Sequence, residues 1–140
     1  MATRAFIFEC STATYLDCVQ KGLFGSNLPW PLQIKTGDQC CLYHYEVGTL
    51  FALWQATSDG GKNLVPRAWG GHFPFQAKVA LVTPEIIEVP KAKVSEAFVN
   101  PETGKFDNVL EGARYDQLDE DLKAELPLKR IWTVAAQEEE

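Results

Sequence analysis

The feature that most constrains the fold is a pair of neighbouring segments, residues 39–46 and 49–57, that are apolar on both faces of an extended chain. Val47 and Gly48 link them, and two such segments around a short Gly-containing link predict a β-hairpin. A strand that is apolar on both faces has to be covered on both sides. We therefore expect an α+β fold in which mixed β-strands form a closed or half-closed barrel, with a few helices packed outside it.

Simple alternation along the hairpin assigns its side chains to the two faces. On the first strand, Cys40 and Leu42 share one face, and Cys41, Tyr43 and Tyr45 share the other. On the second strand, the same rule places one set of three side chains opposite a set of two: Leu50, Ala52 and Trp54 opposite Phe51 and Leu53.

The segment before the hairpin predicts a strand followed by a helix. Residues 5–10 form a short apolar run, which is typical of a buried strand. Ser11 or Thr12 can cap the free N–H groups at the start of a helix. We expect this helix to end at Lys21, because Gly22 can adopt the left-handed conformation that ends helices.

Three apolar residues of this region have helical spacing, so we expect them to form the buried face of the helix: Leu16, Val19 and Leu23. Residues 22–36 contain two glycines and two prolines around Trp30, which predicts a structured loop.

The second half of the chain predicts further strands and one helix. Residues 75–81 alternate apolar side chains with Gln76 and Lys78, as in a strand exposed on one face. Residues 86–89 and 128–135 predict two more strands, and residues 100–105 predict a turn. Leucines at four-residue spacing predict an amphipathic helix with an acidic first turn: Leu118, Leu122 and Leu126.

The charge distribution argues against non-specific duplex binding. The net charge is −6, and residues 1–90 carry six basic and seven acidic side chains. Sequence-independent binding to a duplex needs many contacts between Lys or Arg and phosphate, so a base or a strand end is the expected nucleic-acid contact. The chain has no apolar run of roughly 20 residues and no signal-peptide pattern, so we expect a cytoplasmic protein without a membrane partner, or a nuclear one in a eukaryote.

Metal, cofactor and catalytic motifs are missing from the sequence. The four cysteines have no Cys-x-x-Cys spacing and there are two histidines, so buried reduced thiols are expected and no metal or cofactor. Residues 60–62, Gly-Gly-Lys, lack the frame of a phosphate-binding loop. No serine lies in a nucleophile-elbow frame, and His44 is expected within a strand. We therefore expect no catalytic residue.

The aromatic residues are the strongest candidates for a binding site. Of four tryptophans, Trp54 and Trp132 lie in predicted strands, where a core role is expected. Trp30 and Trp69 lie in predicted loops, where they either cover the core or stack on a flat ligand. Arg67 either contacts a phosphate or carboxylate or is a plain exposed loop residue.

Several motifs follow one another in the order and spacing of the development and cell death (DCD) domain. They are Phe6-Ile7-Phe8, Leu23-Phe24-Gly25, the turn at Gly37, Leu42-Tyr43-His44-Tyr45, residues 63–69 (Asn-Leu-Val-Pro-Arg-Ala-Trp) and residues 73–79 (Phe-Pro-Phe-Gln-Ala-Lys-Val). The chain resembles that family over residues 5–90. It departs from the pattern at residues 52–56, Ala-Leu-Trp-Gln-Ala, and at the displaced Leu28-Pro29. We assign residues 1–140 to one domain, with 91–136 as a C-terminal extension and 137–140 as an acidic tail.

The layout is also similar to the wider PUA-like group, which includes the EVE, YTH and ASCH domains. Several of these domains bind modified bases in an aromatic pocket between the first helix and a later loop. This resemblance implies a PUA-like pseudo-barrel. By position, it assigns four residues to the pocket walls: Ser11, Phe24, Trp30 and Trp69.

Together these observations predict a binding domain without enzymatic activity. The expected ligand is a nucleobase or nucleotide, modified or not, in single-stranded or flipped form. Phe24, Trp30 and Trp69 would stack on it, Ser11 and backbone groups would hydrogen-bond its edge, and Arg67 would contact a phosphate. The alternatives are a protein-interaction module of DCD type and an ASCH-like hydrolase of modified nucleosides, which needs a Lys, a Thr and a Glu in the pocket. We expect a monomer or a small homo-oligomer.

Overall fold

The computed structural model describes residues 4–99 and 107–125, apart from the side chains of residues 95–98 and 123–125. Eight strands and three helices lie in these ranges, together with two short 3₁₀ turns at Trp30–Gln33 and Ala68–Gly71. In chain order the elements are β1 (Arg4–Cys10), α1 (Thr12–Lys21), β2 (Leu23–Ser26), β3 (Gln39–His44), β4 (Thr49–Ala56), β5 (Gly61–Lys62), β6 (Phe75–Leu81), β7 (Ile87–Pro90), α2 (Lys91–Phe98), β8 (Val109–Glu111) and α3 (Gly112–Glu125).

The strands form one mixed sheet in the order β2-β6-β4-β3-β1-β8. β1 and β3 are parallel, and the other pairs are antiparallel. One side of β4 is shared, because its residues 49–52 pair with β7 and its residues 54–56 pair with β6. The short β5 pairs with β6 beyond this point. The sheet curls into a half-barrel, which confirms the expected α+β pseudo-barrel.

The hairpin of β3 and β4 is confirmed, but the face assignment along β4 is wrong. The register shifts between Cys40 and Leu42, so that Cys41 lies opposite two residues of β4. A β-bulge of this kind interrupts the alternation of side chains. As a result, Leu53 joins Leu50 and Ala52 on one face, and Trp54 joins Phe51 on the other.

Two hydrophobic cores lie on opposite faces of the sheet. The first is covered by α2 and α3, whose Val94, Leu118 and Leu122 pack on it. The second lies inside the curl and is filled by aromatic side chains, by Cys18 of α1 and by Ile34. Because the central strands are buried on both faces, burial of apolar surface stabilises them from both sides.

Helix α1 has the predicted limits, and its buried face differs in part from the predicted one. Ser11 precedes it with extended backbone, and Gly22 ends it with φ 59° and ψ 42°. Leu16 is 60% exposed, so its predicted burial is wrong. Val19 packs on the core as predicted, together with Tyr15 and Cys18. Leu23 is buried as predicted, but it lies in β2 and not in the helix.

Three further expectations are corrected by the structure. Residues 22–36 are not only loop, since β2 pairs with β6 and a 3₁₀ turn follows. Gln76 is fully buried, although alternation along β6 predicts an exposed side chain. Helix α3 begins at Gly112 and has no acidic residue in its first turn. The remaining expectations lie outside the described residues: the turn at 100–105, the strand at 128–135, Leu126, Trp132 and the acidic tail.

Candidate functional site

A cavity of about 350 Å³ lies where the end of β1, the start of α1 and the end of β2 meet. Its described lining comes from five parts of the chain that are distant in sequence. The end of β1 and the first turn of α1 form one wall, and residues 25–28 with Trp30 form another. The remaining lining residues come from three separate segments: Tyr45, Phe73 and Asn108.

The indole of Trp30 is held at the cavity by aromatic side chains of β1. Its ring centroid lies 4.6 Å from that of Phe8, and it stacks within 8° of parallel on Phe6 at 6.2 Å. Pro29 and Pro31 flank it, and Pro31 is buried within the 3₁₀ turn. These contacts fix the orientation of a ring that is partly buried, so its remaining surface is available to the cavity.

Hydroxyl and amide groups supply the polar part of the lining. Ser11 precedes α1, and its N–H donates to Thr14 Oγ1 at 3.0 Å. Ser26 Oγ accepts the Leu28 N–H at 3.1 Å, which shapes the opposite wall. Asn108 adds an amide side chain. Such groups hydrogen-bond neutral ligands without the desolvation cost of a buried charge.

The charge around the cavity is negative. Glu9 is the one charged residue in the described lining, which contains no Lys or Arg. The positive end of the α1 dipole is already occupied, since Glu46 Oε1 accepts the Thr12 N–H at 2.7 Å. A phosphate therefore finds no cation and no free helix terminus among these residues.

The cysteine in the lining is not a nucleophile at neutral pH. Burial raises the pKa of the Cys10 thiol to about 12, with a smaller contribution from Cys18. A thiol with this pKa stays protonated, and the thiolate is the reactive form. All four cysteines are free and buried. Within residues 4–99 and 107–125, no group of three His, Cys, Asp or Glu is arranged to hold a metal ion.

The family model of the development and cell death domain matches residues 4–120 of the chain. The chain belongs to the development and cell death domain family. This confirms the resemblance seen in the motifs, and the match continues past residue 90, where the sequence resemblance ended.

Two plant proteins illustrate this relationship. The chain is 31% identical over 91 residues to the DCD domain-containing protein NRP-A of Glycine max, covering 59% of the chain and 25% of that protein. It is 30% identical over 91 residues to the B2 protein of Daucus carota, covering 59% of the chain and 44% of that protein. The chain thus spans less than half the length of these relatives.

The DCD domain also has the fold of YTH domains. A YTH domain of Mmi1 in complex with RNA superposes with a TM-score of 0.68 at 14% identity, covering 93% of the chain and 83% of that domain. The YTH domain of Zygosaccharomyces rouxii MRB1, solved with N6-methyladenosine RNA, superposes with a TM-score of 0.58 at 12% identity, covering 84% and 85%. These likenesses place the DCD domain in the same PUA-like fold group.

The structure brings two of the five predicted site residues of this DCD domain to the cavity, Ser11 and Trp30. Phe24 is fully buried between Phe8 and Trp54, with ring centroids at 5.4 and 5.1 Å, so it presents no ring face for stacking. Arg67 is exposed on its loop and is not part of the lining.

Trp69 lies behind the cavity wall and does not line it. Its backbone is left-handed at φ 50°, and its ring meets Phe73 edge-on at 5.7 Å. A Cβ atom on Gly25 would lie 2.6 Å from Trp69 Cζ3, so the indole rests directly on that glycine. Trp69 Nε1 is buried without a hydrogen-bond partner among the described residues.

Sequence reasoning missed most of the lining. Asn27 and Leu28 lie in the loop that was singled out for its prolines, and Phe73 begins the Phe-Pro motif, so local signals for these residues existed. Tyr45 ends the Leu42-Tyr43-His44-Tyr45 motif, whereas Asn108 carries no local signal. Only the pairing of β1 with β3 and β8 brings these two residues to the cavity.

Proposed function

We propose that the cavity binds a nucleobase or nucleoside, in free, single-stranded or flipped form. The orientation of Trp30 carries this proposal: its indole is backed by Phe8 and lies beside neutral hydroxyl and amide groups. Aromatic side chains bind bases by stacking, which contributes about 1–3 kcal/mol per base. A volume of about 350 Å³ is at the lower end of small-ligand pockets, which run from about 300 to 1,000 Å³.

The charge supports a contact with the base and not with phosphate. The described lining has no cation, and Glu46 occupies the N-terminus of α1. A 5′-monophosphate should therefore bind no more tightly than its nucleoside, and Arg67 plays no part in the binding we propose. The hydrolase alternative lacks support, because no lysine lines the cavity in the described part of the chain.

The test is calorimetric titration of the protein with the common nucleosides, their base-modified forms and short single-stranded RNA. Trp30→Ala should weaken binding by about 5- to 150-fold, which corresponds to the loss of one stacking contact. Leu32→Ala is the matched control, because Leu32 lies on the same 3₁₀ turn, is exposed and does not line the cavity. The proposal fails if no nucleoside or single strand binds the wild-type protein, or if both variants bind alike.

A protein-interaction role is the second candidate. Leu28 and Tyr45 are each 56% exposed at the rim of the cavity, and exposed apolar side chains of this size are found at protein interfaces. The double variant Leu28→Ser, Tyr45→Ser should weaken binding to a protein partner. Trp30→Ala, which changes the interior and not the rim, should leave that binding nearly unchanged.

A further inference from the structure

The edge of β1 is paired with β8 only along its first half. The ladder runs from Arg4 to Phe6, and Ile7 is then paired by Asn108 alone. The Ile7 N–H donates to the Asn108 main-chain oxygen at 2.8 Å, and the Asn108 side-chain Nδ2 donates to the Ile7 carbonyl at 2.7 Å. Both main-chain groups of Ile7 therefore point toward the β8 edge.

The main-chain groups of Glu9 point toward the same edge as those of Ile7, since successive residues of a strand direct their N–H and C=O groups to opposite sides. Cys10 agrees with this alternation, because its carbonyl accepts the Tyr45 N–H at 3.2 Å on the β3 side. Asn108 precedes β8, so β8 does not extend to Glu9. No residue in the ranges 4–99 and 107–125 hydrogen-bonds the Glu9 N–H or C=O on that side.

The open edge at Glu9 coincides with the cavity, because Glu9 and Asn108 both belong to its lining. A donor and an acceptor of one extended residue thus lie side by side at the cavity wall. Main-chain N–H and C=O groups are strong hydrogen-bonding sites, and Glu9 is an exposed residue, so a ligand can reach these groups. A ligand that carries an acceptor next to an N–H donor can satisfy both groups at once.

We propose that the main-chain N–H and C=O of Glu9 bind the edge of a nucleobase that carries a ring nitrogen beside an amino group, as in adenine. This proposal rests on the function proposed above. The Glu9 N–H would donate to the ring nitrogen, and the amino group would donate to the Glu9 carbonyl. A peptide strand is a poorer occupant, because a single residue is open: Ile7 is already paired and Ser11 begins the cap of α1.

Proline at position 9 tests this assignment, because proline removes the N–H that faces the cavity. Edge strands accept proline where the lost N–H is not part of the ladder. Glu9→Ala is the matched control, since it removes the carboxylate and keeps the N–H. With the nucleoside that binds wild-type protein best, Glu9→Pro should bind about tenfold more weakly than Glu9→Ala, because the two variants differ in the main-chain N–H and both lack the carboxylate. Equal binding by all three proteins, or an equal loss in both variants, overturns the assignment.

Nucleoside analogues test the same contact from the ligand side. In wild-type protein, either 1-deazaadenosine or 7-deazaadenosine should bind about tenfold more weakly than adenosine, because each lacks one ring nitrogen beside the amino group. The same analogue should lose little further affinity in Glu9→Pro, since the partner N–H is already gone. If adenosine and both analogues bind wild-type protein alike, or if uridine, which has no amino group, binds while adenosine and cytidine do not, the assignment is overturned and the proposed function stands. If no nucleoside binds, the proposed function itself fails.

Amide hydrogen exchange gives a measurement that does not depend on how well Glu9→Pro folds. In the free wild-type protein, the Glu9 amide should exchange faster than the amides of Phe8 and Cys10, which face the β3 side. A saturating nucleoside should slow exchange at Glu9 by about tenfold or more. An unchanged Glu9 amide in the presence of bound nucleoside would overturn the assignment.

Discussion

Gln76 should contribute more to stability than any other polar side chain of β6, because it holds the loop that carries Trp69. It is fully buried, its Oε1 accepts the Val65 N–H at 2.8 Å, and its Nε2 donates to the carbonyls of Val65 and Phe73 at 3.2 and 3.0 Å. These bonds tie the segment between β5 and β6 to the sheet at two points. Gln76→Met keeps nearly the same volume and removes all three bonds.

The expected loss follows from these contacts. A hydrogen bond contributes about 1 kcal/mol net, so three bonds correspond to about 3 kcal/mol. Water can reach Val65, which is 36% exposed, and can replace part of its pairing. We therefore expect Gln76→Met to lower the free energy of unfolding by about 2 kcal/mol. Gln55→Met is the control, because Gln55 is exposed and donates one bond, to the Gly37 carbonyl at 3.3 Å; its loss should stay below about 1 kcal/mol.

Urea denaturation followed by circular dichroism measures both values. Limited trypsin digestion adds a local readout, since Arg67 is exposed within the tethered loop. Cleavage after Arg67 should be faster in Gln76→Met than in wild type under conditions where both are folded, and unchanged in Gln55→Met. If both variants lose the same stability and are cleaved alike, Gln76 does not tether the loop and the reasoning is refuted.

Two further predictions concern close packing and the buried thiols. Gly60→Ala should lower the free energy of unfolding by at least about 2 kcal/mol, since its Cβ would lie 1.7 Å from the Pro31 carbonyl oxygen. Gly61→Ala should lower it by less than about 1 kcal/mol in the same denaturation assay, because its Cβ would meet the movable end of the Leu64 side chain at 2.8 Å. Equal losses would contradict this. Burial raises the pKa of Cys18 from 9.0 to about 12, so the unfolded chain loses this proton first as the pH rises. This thiol should therefore lower the free energy of unfolding by about 1 kcal/mol at pH 10 relative to pH 8, in addition to the loss caused by the other buried thiols. Urea titrations should show a smaller fall in Cys18→Ala; an equal fall would exclude this thiol as the cause.

Local sequence signals were sufficient to predict secondary structure where a single residue determines the backbone conformation. Ser11 and Gly22 limit α1 by capping chemistry that depends on immediate neighbours alone. The hairpin of β3 and β4 was also predicted from local sequence, because two apolar segments flank the short link at Gly48. The assignment of Trp54 failed because the bulge at Cys41 depends on pairing between strands, which alternation along one strand does not contain.

The site was predictable only where its residues belong to local motifs. Ser11 and Trp30 lie beside a helix start and a proline pair, and both line the cavity. Phe24 was assigned by position in a related layout, but its side chain faces the aromatic core. Asn108 lies 101 residues after Ile7 in the sequence, so no local pattern contains the two hydrogen bonds between them. Periodicity does not predict the burial of a polar side chain such as that of Gln76, because a buried glutamine and an exposed one occupy the same place in the pattern.

Gly25 links the position of the cavity wall to that of the loop that carries Trp69. It lies in the cavity wall, and the Trp69 ring and Phe73 occupy the volume that a side chain at this position would need, at 2.6 and 3.1 Å from its Cβ. The loop after β2 and the loop before β6 are therefore interlocked through one missing side chain. Neither can move toward the other without a clash, so the position of the Trp69 loop limits how far the cavity wall at Gly25 can shift away from the cavity.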